Sequence, residues 1–226
     1  MSQSHNKWVV EYLLGNANDF IQKGLQLPPF RLVRICKVQK SSVVLGSAQK
    51  LFQLPKWVNE ANIDVVSRRS GGGAVWICPD HYVWIDVFLP FGDVLICREI
   101  SSSFFWLGTV LVEVLEKIGL QEVQMYRGSF VTTPWSSAIC FSSKSPGEVF
   151  VANKKVVGIS QRRTREGVLF QIGIPIHLHL LELSKLFFAT EAEKVTSEIS
   201  KTSLELDGLA TPTLIEETFL STIHHF

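Results

Sequence analysis

The chain has 226 residues, of which 46% are hydrophobic and 19% are charged, and its formal net charge is +1. This composition predicts one globular domain over residues 1–226, and so small a charge excludes a general attraction to nucleic acid or to an acidic membrane. No apolar run is long enough to span a bilayer, and the first residues lack the basic and apolar regions of a signal peptide. The four cysteines show no C-x-x-C spacing, so we expect reduced thiols in a cytoplasmic protein.

The hydrophobic pattern and the turn residues predict a mixture of strands and helices. In chain order we predict a helix at 7–24, strands at 30–38 and 43–46, a helix at 55–62, strands at 63–66, 73–78 and 82–89, a helix at 98–118, a strand at 122–126, an irregular segment at 127–147, a hairpin of 148–152 and 155–161, a strand at 168–174, and helices at 178–188 and 212–225. Several hairpins and few βαβ units favour an α+β fold over a doubly wound sheet.

The segment most informative about function runs from Arg68 to Val75 and contains the consecutive glycines Gly71, Gly72 and Gly73. Glycine loses more backbone entropy on folding than any other residue, so three in a row indicate a sharp bend or a close contact with a ligand. The segment matches neither the P-loop nor the dinucleotide fingerprint. With two arginines and a serine at its start, it predicts contact with an anionic or acyl-bearing small molecule; the alternative is a bulge or a tight hairpin. Only one of the two adjacent arginines can point into a pocket, and their spacing does not say which.

Two adjacent lysines, Lys154 and Lys155, begin the second strand of the predicted hairpin. In a strand Lys155 shares a face with Val157 and Ile159, so its ammonium can be directed at a buried anion or a carbonyl oxygen. The alternative is a pair of solvated lysines at a hairpin turn.

Cys140 lies between apolar residues in a segment rich in serine and proline. A cysteine in such surroundings is usually an inert buried thiol. The alternative is a nucleophile, because a nearby ammonium would lower the pKa of the thiol and favour the thiolate.

A metal site is not expected. His177 and His179 could share one face of a strand, but the sequence near them offers no third ligand. The motifs H-E-x-x-H and G-x-S-x-G are absent, which excludes the common metalloprotease and hydrolase interpretations.

Three segments together resemble the catalytic domain of the lipoate/biotin protein ligase superfamily, which includes lipoate–protein ligases and octanoyltransferases. They are VVLGSAQ at 43–49, RRSGGGAV at 68–75 and KKVVGIS at 154–160. The resemblance covers about residues 30–175, with C-terminal helices following over 176–226. It implies a mixed, largely antiparallel sheet flanked by helices, similar to class II aminoacyl-tRNA synthetase cores.

The resemblance also implies a site. An octanoyl or lipoyl group, or its adenylate, would be bound by the glycine-rich segment and the strand after the lysines: Arg68, Ser70, Gly71, Gly72, Gly73, Ala74, Val75, Gly158 and Ser160. Lys155 would contact the acyl carbonyl and phosphate oxygens. Cys140 precedes Phe141 at the position of the nucleophile in one branch of octanoyltransferases.

The implied reaction has two steps. Cys140 takes an octanoyl group from acyl carrier protein as a thioester, and a lysine of a lipoyl domain then attacks it, while backbone N–H groups stabilise the oxyanion. One alternative is a lipoate–protein ligase that uses ATP and magnesium and forms a lipoyl-adenylate. A second is an acyl-binding protein without catalysis, because two histidines of the family pattern are replaced here near Trp76 and Gln171. Biotin as the acyl group also stays open.

Overall fold

The computed structural model describes residues 7–50 and 55–226 of the chain. The first six residues, on which the expectation of no signal peptide partly rests, lie outside the described residues. The strands are β1 (Val9–Gly15), β2 (Leu32–Val38), β3 (Ser42–Leu45), β4 (Asp64–Ser67), β5 (Val75–Ile77), β6 (Tyr82–Pro90), β7 (Val123–Met125), β8 (Val149–Val151), β9 (Lys154–Arg163) and β10 (Gly167–Pro175). The helices are α1 (Ala17–Lys23), α2 (Lys56–Glu60), α3 (Phe105–Lys117), α4 (Leu180–Phe187), α5 (Ala192–Ser200) and α6 (Pro212–Ile223). Within these ranges no helix has the length and apolar character needed to cross a membrane.

Seven strands form one sheet in the order β1-β2-β6-β10-β9-β8-β7. β1 and β2 are parallel, and every other neighbouring pair in this sheet is antiparallel. Three further strands form a smaller sheet in the order β4-β3-β5. The predicted α+β class, with a mixed and largely antiparallel sheet flanked by helices, is confirmed.

The two faces of the large sheet differ in chemistry. On one face Val83 and Ile85 of β6 belong to the main hydrophobic core, which also contains the buried sides of α3 and α6. The alternate residues Trp84 and Asp86 point to the opposite face. There the Trp84 ring packs edge-on against Phe20 of α1. This second face carries the polar groups from which the site is built.

The start of the chain differs from the prediction. Residues 7–24 do not form one helix: β1 is followed by the short helix α1, and β1 pairs in parallel with β2. The backbone N–H of Asn16 donates to the carboxylate of Asp19 at 2.9 Å, which marks the beginning of α1. The valines and the tyrosine of β1 suit a strand, and the edge of β2 supplies its hydrogen-bond partners.

The structure differs from the prediction at two further helices. α3 begins at Phe105 rather than at residue 98, because residues before it form turns in which Ser103 N–H donates to the carbonyl of Glu99. α5 was not predicted, since its sequence is mostly polar. It is held by one narrow apolar face, formed by Ala192, Val195 and Ile199.

The predicted hairpin that contains Lys154 and Lys155 is confirmed. Ala152 and Asn153 connect β8 to β9 with φ angles of 45° and 66°. Two consecutive residues with positive φ are the geometry of a tight hairpin turn whose twist matches that of the strands. The turn fixes the register that carries Lys155 into the interior.

Candidate active site

A cavity of about 800 Å³ lies beside the large sheet and is lined mostly by apolar groups. Its walls come from the glycine-rich segment 70–73, from residues 99–105 and 127–130, from the segment around Cys140, and from the middle of β9 and β10. Its size is within the range of small-molecule sites in proteins. Most residues predicted for the site line this cavity: Arg68, Ser70, Gly71, Gly72, Gly73, Val75, Cys140, Gly158 and Ser160.

The glycine-rich segment lies directly against the backbone of the Cys140 segment. Ala74 N–H donates to the carbonyl of Ala138 at 2.7 Å, and Cys140 N–H donates to the carbonyl of Ala74 at 3.0 Å. A Cβ atom on Gly73 would lie 2.6 to 2.8 Å from backbone atoms of Ile139 and Cys140. Ala74 is buried behind the cavity wall, and its two backbone hydrogen bonds hold the segment that carries Cys140, the candidate nucleophile.

Replacing Gly73 with alanine is expected to lower the free energy of unfolding by about 1–3 kcal/mol, because backbone atoms must move to admit the methyl group. Gly71 is the matched control, since nothing lies within 4 Å of a Cβ placed there. Gly71→Ala is expected to stay within about 0.5 kcal/mol of the parent chain. Urea unfolding of both variants measures this difference, and equal midpoints would contradict the close approach.

Arg68 holds the glycine-rich segment from within. Its guanidinium donates to the carbonyls of Gly71 and Gly73 at 2.8 and 2.9 Å, and to that of Val44 at 3.3 Å. Arg68 is buried and Arg69 is exposed, so Arg68 is the one of the two adjacent arginines that points inward. Because three carbonyls occupy the guanidinium, Arg68 acts as a clamp on the loop.

Ser70 and Ser160 join the loop to the sheet. Their hydroxyl groups are 3.0 Å apart, so one donates to the other. Gly158, two residues earlier on β9, lines the same wall, and a Cβ there would meet Phe141 only at ordinary contact distance.

Cys140 begins a single 3-10 turn, Cys140–Ser142, at the cavity wall. Its side chain is partly exposed to the cavity, while its backbone is hydrogen-bonded on both sides. Within the described ranges it is the only cysteine that lines the cavity. An accessible thiol on a fixed backbone is the arrangement that a nucleophile requires.

Lys155 lies behind Cys140 and does not line the cavity. It is 1% exposed, and its ammonium donates to the carbonyls of Cys140 and Ser143 at 3.0 and 3.3 Å. It also forms an ion pair of 2.6 Å with Glu148, whose carboxylate accepts from Ser145 N–H. The three protons of the ammonium therefore have three protein acceptors. A direct contact of Lys155 with an acyl or phosphate oxygen stays a prediction; in this structure Lys155 anchors the Cys140 turn.

Burial is the main cause of a raised pKa at two groups near Cys140. It raises the pKa of Glu148, against the opposing effect of Lys155 and the Ser145 hydrogen bond. It also raises the pKa of Tyr82, whose ring lines the cavity near Cys140. Tyrosine is protonated at neutral pH, so the Tyr82 hydroxyl is available as a hydrogen-bond donor at the cavity. No motif in the sequence points to Glu148 as the partner of Lys155 or to Tyr82 as a cavity residue.

Asp86 is a buried carboxyl beneath the cavity. Trp84 and Gln171, which line the cavity, donate to its Oδ1 at 2.8 and 3.2 Å. Its Oδ2 has no hydrogen-bond partner in the described part of the chain, and Arg34 Nη1 is 3.8 Å from it. Burial raises the pKa of Asp86 to about 6, although the two hydrogen bonds and Arg34 oppose the change.

Asp86 is expected to make stability depend on pH. Between about pH 4 and 6 the folded chain keeps a proton that the unfolded chain has released, so stability falls as pH rises through this window. The loss is roughly 1.4 kcal/mol per pH unit at most. Urea unfolding at pH 4, 5, 6 and 7 should show the parent losing stability relative to Asp86→Asn up to pH 6, and a constant difference above it. A constant difference over the whole range would contradict this assignment.

Comparison with known proteins identifies the family of the chain. Residues 18–215 match the family model of the lipoyl protein ligase A/B catalytic domain, so the chain belongs to this family. The resemblance to the lipoate/biotin protein ligase superfamily is thereby confirmed.

One relative and two solved structures are similar to the chain. Octanoyltransferase LipM of Clostridioides difficile (strain 630) is 33% identical over 112 residues, which are 50% of this chain and 40% of that protein. The match thus spans less than half of the relative. A bi-partite lipoate protein ligase from Thermoplasma acidophilum, described with its E2 lipoyl domain, has a TM-score of 0.65 at 15% identity and covers 96% of this chain and 84% of its own. A lipoate-protein ligase A bound with ATP has a TM-score of 0.67 at 16% identity, over 96% and 86%. At such identities the structures show a shared fold.

Proposed function

We propose that this chain transfers an octanoyl or lipoyl group to a lysine of a lipoyl domain through a thioester on Cys140. In the first step the Cys140 sulfur attacks the carbonyl carbon of an acyl thioester donor. The bond from that carbon to the donor sulfur breaks, and the donor leaves as a thiol that carries the proton lost by Cys140. In the second step the amine of the acceptor lysine attacks the Cys140 thioester. An amide forms, and the cysteine thiol is restored.

The observation that carries this proposal is the position of Cys140. Its thiol faces the cavity, and its backbone is fixed by Ala74 on one side and by Lys155 on the other. An acyl chain placed along the apolar wall would bring its carbonyl carbon to the sulfur. Fixed orientation of the reacting atoms supplies a large part of many enzymatic rate accelerations.

The glycine-rich segment, which lines the same cavity as Cys140, supplies candidate donors for the oxyanion. The backbone N–H groups of Gly72 and Gly73 donate to no acceptor in residues 7–50 and 55–226. Unpaired N–H groups that face developing negative charge stabilise it in the manner of an oxyanion hole. The hydroxyl of Tyr82, which also lines the cavity, is a further donor. These groups support the proposal that the cavity favours the tetrahedral intermediate.

The alternative function is an ATP-dependent lipoate–protein ligase, which the fold shared with an ATP-bound ligase supports. The cations of the cavity favour transfer instead. A triphosphate needs several cations within hydrogen-bond reach. Arg68 is occupied by three carbonyls and Lys155 by Glu148 and two carbonyls. Arg127, stacked on Phe105 at the cavity wall, is exposed and has no acidic partner in the described residues. It is thus available to a phosphate, but one cation is fewer than a triphosphate needs.

The partners follow from the chemistry. A thioester donor such as octanoyl–acyl carrier protein arrives already activated, so no ATP is required. The acceptor is a lipoyl domain, in keeping with the ligase described with its E2 lipoyl domain. Four free cysteines are consistent with action in the cytoplasm.

The test compares donors in otherwise identical reactions. The chain is mixed with a lipoyl domain and either octanoyl–acyl carrier protein without ATP, or lipoate with ATP and magnesium. Mass spectrometry of the lipoyl domain is expected to show acylation only in the first mixture. Lipoate-dependent exchange of pyrophosphate into ATP would contradict the transferase and support the ligase. Acylation in neither mixture, with acyl ligand still bound, would support a protein without catalysis.

A further inference from the structure

Four residues of types that can bind metals lie at one end of β6 and β10, outside the cavity that contains Cys140. Cys78 and His81 lie on the turn between β5 and β6, and His177 and His179 follow β10. His81 Nδ1 is 3.0 Å from His179 Nε2. The ligand atoms of Cys78, His81 and His179 all lie within 4.8 Å of one another. The fold thus adds two residues to a histidine pair that lacked a third ligand in the sequence.

The fourth residue, His177, stands at the edge of this group. Its ring centroid is 4.6 Å from that of His179 and 5.7 Å from that of His81. Its Nδ1 is 3.0 Å from a carboxylate oxygen of Glu205. A carboxylate on one imidazole nitrogen fixes the proton there and leaves the other nitrogen with a free lone pair, as is common for metal-bound histidines.

The sulfur of Cys78 has two hydrogen-bond partners. The indole N–H of Trp76 donates to it at 3.3 Å, and the hydroxyl of Ser41 lies 3.1 Å away. Hydrogen bonds of this kind orient a metal-ligating side chain and hold it in place.

The backbone holds these side chains in uncommon conformations. Asp80, next to His81, has a φ angle of 59°, and His179 has a φ angle of 49°. Non-glycine residues seldom adopt positive φ, and such residues cluster where side chains must be placed for a purpose. Here the strained residues are His179 itself and the residue before His81, and the two imidazoles lie 3.0 Å apart.

We propose that Cys78, His81 and His179 bind a divalent transition-metal ion of the zinc class, with His177 beside the fourth coordination position. A thiolate with imidazoles is a typical ligand set for tetrahedral zinc. The ion would tie the β5–β6 turn to the start of α4. Backbone bonds from Ile176 and His177 to the carbonyl of His81 already join these two segments. No residue of this cluster lines the acyl cavity, so the site is separate from the proposed transfer reaction.

The test measures metal content and coordination of the full chain without a histidine tag. After incubation with zinc and dialysis against metal-free buffer, elemental analysis is expected to give about one zinc per chain. Loading with cobalt is expected to give the near-ultraviolet thiolate-to-cobalt band and the visible bands of tetrahedral cobalt. Substoichiometric zinc, or cobalt spectra without the thiolate band, would overturn the proposal even if no variant could be prepared.

Variants assign the ligands. The double variant His81→Ala/His179→Ala is expected to bind zinc at least about a hundredfold more weakly in competition with a chromophoric chelator. His224→Ala/His225→Ala, which removes two histidines after α6, is the matched control and should bind as the parent does. Cys78→Ser should abolish the thiolate-to-cobalt band. Equal zinc affinity of both double variants would show adventitious binding and contradict the site.

Discussion

Replacing Cys140 with serine is expected to lower the rate of acyl transfer about a thousandfold or more while leaving the chain folded. The hydroxyl group is a much weaker nucleophile than a thiolate unless a general base activates it. No histidine lines the cavity within the described residues, so the serine would lack such a base. The measurement is the initial rate of lipoyl-domain acylation from octanoyl–acyl carrier protein, with urea unfolding as the test of folding.

Cys97→Ser is the matched control for this experiment. Cys97 is a partly buried free cysteine outside the cavity, and its sulfur lies 3.2 Å from the hydroxyl of Ser102. Its replacement should leave transfer within about twofold of the parent, because Cys97 does not line the cavity and a serine there can keep the hydrogen bond to Ser102. A Cys140→Ser variant that keeps a tenth of the parent rate would contradict a covalent role for Cys140.

Replacing Lys155 with alanine is expected to lower the free energy of unfolding by about 3–5 kcal/mol. The change leaves the carboxylate of Glu148 buried without its cation, and it removes the donor to the carbonyls of Cys140 and Ser143. Urea unfolding measures the loss. Because the Cys140 turn loses its anchor, transfer by the remaining folded protein should fall as well.

The adjacent lysine supplies the control. Lys154 is not among the buried residues and forms no ion pair within the described ranges, so Lys154→Ala should change stability by no more than about 0.5 kcal/mol. The double variant Lys155→Met/Glu148→Gln removes both charges and should be more stable than Lys155→Ala. Lys155→Ala and Lys154→Ala of equal stability would rule out the buried ion pair.

The sequence predicted most strands correctly because their signals are local. Roughly alternating residues mark β2, and the turn at Asn153 marks the hairpin of β8 and β9. The first strand was missed because its apolar residues also fit a helix, and only the neighbouring β2 decides between the two. α5 was missed because its apolar face has three residues.

The site could be predicted only in part, for a physical reason. The glycine-rich segment and Cys140 are visible in the sequence, but the close approach of Gly73 to Cys140 is a tertiary contact. The burial of Lys155 depends on Glu148 across a β-hairpin, and a strand pattern cannot show whether a lysine meets a carboxylate or solvent. The pairing of His81 with His179 joins residues far apart in the chain, which no local spacing reveals.

The central claim is that Cys140 carries the acyl group, and intact-mass spectrometry after incubation with octanoyl–acyl carrier protein tests it most directly. In the absence of a lipoyl domain the chain is expected to gain the mass of one octanoyl group. Hydroxylamine should remove this group, and peptide mapping should place it on Cys140. Addition of a lipoyl domain should then transfer the group to that domain. A chain that transfers octanoyl groups without gaining this mass, or that carries the group on a residue other than Cys140, would contradict the account.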